Sequence, residues 1–297
     1  NEPTFRPCFC SGFSTYEAYW PNIVGCFLMG IVTHHKKFLI ERHGLANFHL
    51  GLGTALCGCL TTFSSWNEEA ALVLVSFDSN PKYSTDNASQ VFTWMNIIIT
   101  GYTTSFMSLL AGFHLASLSP WGNAPSGRIA NSVGKRYGCL SSCGKCFKNN
   151  ELVIAAVCCI LATGLVVGLP VGFGLYQLTF EAVLGFFGAV LRYILGKGLN
   201  KPQFPFGTYA ANILAVLVLC GFYIWQVEEN NFPGKPVLND IITGVTSGFC
   251  GSLSTVSTFM NENYGLKRSH AWRYSCASII TAQILAGLIL GGYKWAQ

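Results

Sequence analysis

Charge is what this sequence has least of. Of 297 residues, 18 are Lys or Arg and 13 are Asp or Glu, 10% in all, against about 25% in a typical soluble domain. There is no Gly-x4-Gly-Lys-Ser/Thr phosphate loop, so nothing points to a nucleotide-driven pump. The amino terminus shows no basic-then-apolar pattern, so it does not read as a secretory leader. Windows 19–35, 44–66, 87–127, 152–180, 204–227, 241–261 and 274–293 hold no charged residue at all. Hydrophobic residues make up 51% of the chain and the mean hydropathy is +0.41. This composition excludes a nucleic-acid-binding protein, a secreted disulfide scaffold and an ordinary soluble enzyme. It requires an integral membrane protein, because about 20 apolar residues cross a bilayer as a helix.

Eight spans are expected, at 20–33, 45–70 with an interrupted continuation, 91–117, 152–171, 178–196, 206–226, 237–263 and 272–292. Alternating sides puts loops 34–43, 120–151, 197–203 and 264–273 on one face, with 13 of the Lys and Arg residues. The opposite face keeps Arg6, Lys82, Lys235 and Lys294, with Glu68, Glu69, Asp78, Asp86, Glu228, Glu229 and Asp240 in its loops. The basic face is therefore expected to be cytoplasmic, in the plasma membrane or an internal one. The glycosylation sequon Asn87-Ala88-Ser89 would fall in an outward loop.

The 13 cysteines do not form a disulfide framework, since most lie inside apolar spans as small hydrophobes. Cys139-x3-Cys143-x2-Cys146 has spacing compatible with an iron–sulfur or zinc loop, with juxtamembrane palmitoylation or with chance. Cys8 and Cys10 fall on the outer side, where oxidation is open to them.

The chain repeats itself. Gly58-Cys59-Leu60-Thr61-Thr62-Phe63-Ser64-Ser65-Trp66 returns 193 residues later as Gly251-Ser252-Leu253-Ser254-Thr255-Val256-Ser257-Thr258-Phe259. Upstream of each copy is a span with one Asn, Asn22 and Asn212. The expected organisation is a first repeat at 1–119, a cytoplasmic loop at 120–151, a linker span at 152–177 and a second repeat at 178–297. No counterpart of 178–196 precedes the first repeat in this sequence, and the single linker crossing turns the second copy over. Inverted repeats place their functional site near the midplane between the copies. A Gly followed by Thr and Ser inside a membrane reads as an unwound turn; the alternative is a small-residue helix contact with hydroxyls bonded back to their own helix. Freed carbonyls from two such turns, brought together, suit a cation.

Three further elements complete a resemblance. Gly188-Ala189-Val190-Leu191-Arg192-Tyr193, Phe204-Pro205-Phe206-Gly207-Thr208 leading to Asn212, and the Gly251 to Phe259 segment stand in the order found in Fluc/CrcB fluoride channels. The chain resembles the fused eukaryotic form of that family. The resemblance implies an all-α, polytopic transmembrane helical bundle: two inverted-topology repeats, a linker helix, and a broken third helix in each repeat. It implies passive, selective fluoride export through narrow pores, no organic cofactor, no enzymatic activity and a monomer that contains a pseudo-dimer.

By motif position, a structural sodium ion would be held by carbonyls of Gly58, Thr61, Gly251 and Ser254. The pore phenylalanine positions fall on Phe63, Trp66, Val256 and Phe259. If each pore takes one position from each copy, Phe63 with Phe259 makes a competent pathway and Trp66 with Val256 a degenerate one. Ser64, Ser65, Ser257 and Thr258, the amides of Asn22 and Asn212, and the Tyr274 and Ser278 rail complete the fluoride route. Ala282 interrupts that rail, and Thr281 is a substitute for it. A phenyl edge is electropositive and faces an anion without trapping it.

Arg192 either snorkels to the cytoplasmic interface, where it concentrates anions, or pairs with a helix carboxyl-terminal end. Thr100, Thr104 and Ser108 form a hydroxyl stripe that serves either the pathway or packing. His49 and His114 have no acidic neighbour in the sequence to make a proton relay. An absence of buried carboxylates within the spans argues against proton or sodium coupling; the competing reading is a coupled secondary transporter of a small ion.

Overall fold

The computed structural model describes residues 18–42, 44–75, 87–119, 176–229 and 236–297. The linker span 152–171, the loop cysteines 139, 143 and 146, and Cys8 and Cys10 lie outside the described residues.

In chain order, α1 is Tyr19–His34, followed by a wide turn at Phe38–Arg42. The third-helix unit of the first repeat begins as α2 (Ala46–Leu50), widens at Gly51–Cys57 and tightens as α3 (Gly58–Leu60). It stops, and restarts as α4 (Phe63–Leu74); α5 (Asn87–Ser117) follows. The second repeat runs α6 (Tyr176–Leu199), a short hairpin of β1 (Asn200–Lys201) and β2 (Phe204–Pro205), and α7 (Phe206–Glu229). Its broken unit is α8 (Pro236–Thr243), a wide turn at Gly244–Cys250, α9 (Gly251–Leu253) and α10 (Val256–Gly265), and α11 (Arg268–Ala296) ends the chain. Wide turns at 51–57 and 244–250 precede the two breaks at the same 193-residue offset as the sequence repeat.

Among the described residues, three helices, 177–199, 206–228 and 268–296, are by themselves long and apolar enough to cross a membrane. The broken units divide one crossing into two short helices each, so neither half has the length alone. Expected spans and observed helices otherwise agree within a few residues. Two differences follow from α4 and α5 being longer than the apolar windows. Glu68 and Glu69 lie within α4 and not in an outer loop, and Asn87 opens α5 in place of sitting in a loop.

The radial distribution of polarity is that of a membrane protein. Ile280, Ile284 and Leu288 on α11, and Phe186, Phe187 and Ile194 on α6, are exposed. Inward, one face of α11 buries Tyr274, Ser278, Ala282, Ala286 and Leu290. The buried polar set includes Asn22, Thr61, Ser64, Asn67, Asn212, Ser254, Thr255 and Ser257. An apolar outside with a polar inside is stable only if lipid is the solvent.

Close helix packing uses small residues, as expected where no water drives association. A Cβ at Gly30 would lie 2.2 Å from the Leu109 carbonyl, and one at Gly112 would lie 2.1 Å from that of Phe27, so α1 and α5 cross at backbone contact. Of the Thr100, Thr104 and Ser108 stripe, Ser108 takes part in this packing, while Thr100 and Thr104 bond within α5. Thr104 donates to Thr100 O on its own helix at 2.6 Å, and Ser108 donates across to Ile23 O at 2.6 Å.

Candidate ion pathway at the paired helix breaks

Both repeated segments are broken where the Gly-then-hydroxyl pattern places them. Thr61 and Thr62 are extended (φ −111°, ψ 140° and φ −128°, ψ 121°), as are Ser254 and Thr255 (φ −87°, ψ 155° and φ −156°, ψ 131°). Two extended residues end one helix and begin another, leaving carbonyls before the break and N–H groups after it without helical partners. In a membrane these groups need partners supplied by the protein.

The partners come in matched sets. Asn22 accepts from the Thr62 N–H at 2.9 Å and donates to the Thr62 carbonyl at 3.2 Å. Asn212 does the same for Thr255, at 2.8 Å and 3.3 Å. Each amide clamps both ends of one residue at the break, so both Asn side chains are spent on backbone. The second residue of each break caps its own restarted helix: Thr62 Oγ1 accepts from Ser65 N at 3.4 Å, and Thr255 Oγ1 from Thr258 N at 3.3 Å.

The first residue of each break caps the opposite repeat. Ser254 Oγ accepts from Phe63 N and Ser64 N at 3.2 and 3.1 Å, while Thr61 Oγ1 accepts from Ser257 N at 3.1 Å. The pairs 254 with 64 and 61 with 257 exchange under the 193-residue offset, the reciprocity that a two-fold relation requires. Hydroxyl contacts close the junction: Ser64 with Ser254 at 2.9 Å, Thr61 with Thr255 at 3.2 Å, and Ser257 donating to Cys57 O at 2.9 Å. Ser254→Ala removes the second cap of α4, the one supplied by the opposite repeat, worth about 1–2 kcal/mol. It should lower the thermal unfolding midpoint by roughly 2–8 °C, with Ser254→Thr restoring it.

Arg192 reaches this junction from α6. Its side chain is 4% exposed. Nη1 donates to Gly58 O at 2.9 Å and Ser254 O at 3.3 Å; Nη2 donates to Thr54 O at 2.6 Å and approaches Cys59 Sγ at 3.6 Å. The interfacial position is thus not adopted. The guanidinium sits on the carboxyl-terminal ends of the half-helices, where the helix dipole favours a cation.

Phe63 and Phe259, expected to share one pathway, meet edge to face with centroids 5.4 Å apart. Phe259 continues to Tyr274 at 5.0 Å, and Tyr274 to Phe204 at 5.2 Å. Ser278, one turn beyond Tyr274, is fully buried and its hydroxyl has no partner among the described residues. Thr281 accepts from the Tyr209 hydroxyl at 3.1 Å. On the other side, Trp66 packs at right angles on Phe63 at 5.7 Å, and its indole N–H donates to Ile97 O at 3.1 Å. Val256 is fully buried in the same apolar cluster. Gly251 has open space where a Cβ would point.

The expectation of no buried carboxylate in the spans is qualified by Glu262, which is half-buried within α10. Its Oε1 accepts from Thr208 at 2.7 Å and Asn200 at 3.0 Å, and its Oε2 from Tyr274 at 2.8 Å. The three donors come from β1, α7 and α11, 12 to 62 residues from Glu262 in the sequence, so no single short motif announced the site. Two asparagines were also missed. Asn67 donates to Phe63 O and Asn263 to Phe259 O, each at 2.9 Å and four residues back. Gln283 then donates to Asn67 Oδ1 at 2.9 Å, and Ser275 to Asn263 Oδ1 at 2.8 Å. The carbonyls of Phe63 and Phe259 are thereby tied to α11. The spacing Phe-x3-Asn, present in each copy, was the available signal.

A family described as CrcB-like protein, Camphor Resistance (CrcB), matches residues 5–113 and again residues 179–293, one match on each side of the unassigned middle. The chain belongs to this family. Its membership accounts for two copies of one unit with one break each. Among curated relatives, Fluoride export protein 1 of Candida albicans is 29% identical over 99% of this chain and 74% of its own length. Fluoride export protein 1 of Saccharomyces cerevisiae is 26% identical over 99% of this chain and 88% of its own. The Fluoride-specific ion channel FluC of Nitratidesulfovibrio vulgaris is 34% identical over 119 residues, 39% of this chain but 91% of its own length. One such unit fits inside this chain with room for a second. No solved structure matches.

Proposed function

We infer that this chain is a passive, fluoride-selective channel that carries fluoride out of the cytoplasm. The observation that carries this reading is the edge-to-face meeting of Phe63 and Phe259 at two interlocked helix breaks, in a chain whose relatives over nearly its whole length are named fluoride export proteins. Electropositive ring edges, that of Tyr274 included, and the unpartnered Ser278 hydroxyl line a route for a small anion with weak contacts throughout, the Tyr274 hydroxyl itself donating to Glu262. The Ser64, Ser65, Ser257 and Thr258 hydroxyls lie beside it in the two repeated segments.

One route conducts. Phe63 with Phe259 forms it; Trp66, held by Ile97, and Val256 close its twin. Loops 34–43, 120–151, 197–203 and 264–273 face the cytoplasm of a plasma-membrane protein, and a single chain suffices because it already holds both copies.

The physics needs no energy input from the protein. Hydrogen fluoride is a weak acid that crosses lipid uncharged, dissociates in the more alkaline cytoplasm and is trapped there as the anion. An inside-negative potential then drives the anion outward with about 2.3 kcal/mol per charge for each 100 mV. Glu262 does not argue for proton coupling, since both oxygens are occupied by fixed donors.

Purified protein in liposomes loaded with potassium fluoride or potassium chloride tests this reading, with valinomycin to dissipate the voltage. Fluoride should leave rapidly and chloride should stay. Equal release of both, or no release of either, defeats the selectivity claimed.

A further inference from the structure

The resemblance implies a sodium ion at the carbonyls of Gly58, Thr61, Gly251 and Ser254, and the residues present do not fit one. Two of those four carbonyls, Gly58 and Ser254, already accept from Arg192 Nη1, one in each repeat. A sodium ion on the same oxygens would stand within a few ångströms of a full positive charge in a medium of low dielectric. The guanidinium's partners among the described residues are three carbonyls and one thiol, none of them a carboxylate.

We propose that the Arg192 guanidinium is itself the resident cation of the paired break, bridging the two repeats in place of a bound metal ion. It does for the junction what a metal would do, joining Gly58 O of the first copy to Ser254 O of the second.

A second feature supports the assignment. Gly58 is the position that admits the group: a Cβ there would lie 2.5 Å from Nη2 and 2.8 Å from Cζ of Arg192. The matching Gly251 has nothing within 4 Å of its own Cβ position. The two breaks are thus unequal, and the small residue against the guanidinium is in the first copy. The wide turn at Gly51–Cys57 contributes the third carbonyl, Thr54 O, to the same group. A fixed charge reached through one helix also has a functional consequence. It places a permanent positive potential at the breaks, beside the anion route, that no ion exchange can remove.

The test is the thermal unfolding midpoint of the full purified chain, titrated with sodium chloride against N-methyl-D-glucamine chloride at constant ionic strength. The wild-type midpoint should be the same in both salts. Arg192→Gln should lower it by roughly 5–10 °C in sodium-free medium, and millimolar sodium should recover much of the loss, because the vacated carbonyls become a metal site. Gly58→Ala should reproduce that behaviour by pushing the guanidinium away, despite the better helix propensity of Ala. A saturable, sodium-specific rise in the wild-type midpoint would overturn the proposal, and it remains decisive if both variants fail to fold. An Arg192→Gln midpoint equal to wild type would overturn it equally. The readout does not depend on transport, so absent fluoride release defeats the channel reading and leaves this result standing on its own.

Discussion

Phe259→Ile should reduce fluoride flux by roughly two orders of magnitude, equivalent to about 3 kcal/mol on the permeation barrier, while Trp66→Phe should leave flux within about threefold of wild type. Phe259 is the hub of the aromatic run, in contact with Phe63 at 5.4 Å, Tyr274 at 5.0 Å and Tyr102 at 6.3 Å. Isoleucine keeps the apolar bulk but has no electropositive ring edge, so on the proposed reading it would cost the anion that weak contact. Trp66 points into α5 and bonds Ile97 O. Replacing it with Phe gives up that hydrogen bond, about 1 kcal/mol of stability, while keeping an aromatic ring against Phe63. Initial fluoride release from liposomes, normalised to monodisperse protein, measures both. Equal losses from the two variants would reject the single-pathway assignment.

The other large effect belongs to the amide clamps. Asn212→Leu strips partners from both the N–H and the carbonyl of Thr255, a residue fully buried at the break. Each unpaired group costs about 1–3 kcal/mol, so the unfolding midpoint should fall by roughly 5–15 °C. Asn22→Leu should act the same way through Thr62. Asn212→Asp keeps the acceptor for Thr255 N and loses the donor to Thr255 O, so its midpoint should fall between those of Leu and wild type. A Leu variant within about 1 °C of wild type would show that the breaks do not depend on these clamps.

The breaks were legible because their cause is local: a Gly followed by hydroxyl residues, twice, at one fixed offset. The pairing of Phe63 with Phe259 was legible for the same reason, as it follows from superposing the copies in opposite senses. Glu262 and the true position of Glu68 were not. The expected spans 45–70 and 237–263 already enclosed these carboxylates, but a span's bounds do not say which side chains a restarted helix turns toward the interior. Arg192 was ambiguous because its partners lie 62 to 138 residues away in sequence. An arginine near a predicted span end has enough reach to snorkel outward or to fold back, and only the gap left by Gly58 decides between them. Asn22 and Asn212 were identified as polar groups at depth, but their use as clamps depends on where the breaks turn toward them.

The most direct test of passive conduction is the zero-current voltage of reconstituted protein under separately imposed fluoride and pH gradients. It should follow the fluoride gradient by the full Nernst amount and stay unmoved when only pH is changed across the membrane. A zero-current voltage that shifts with pH at fixed fluoride would mean that protons move with the anion, and would contradict the account.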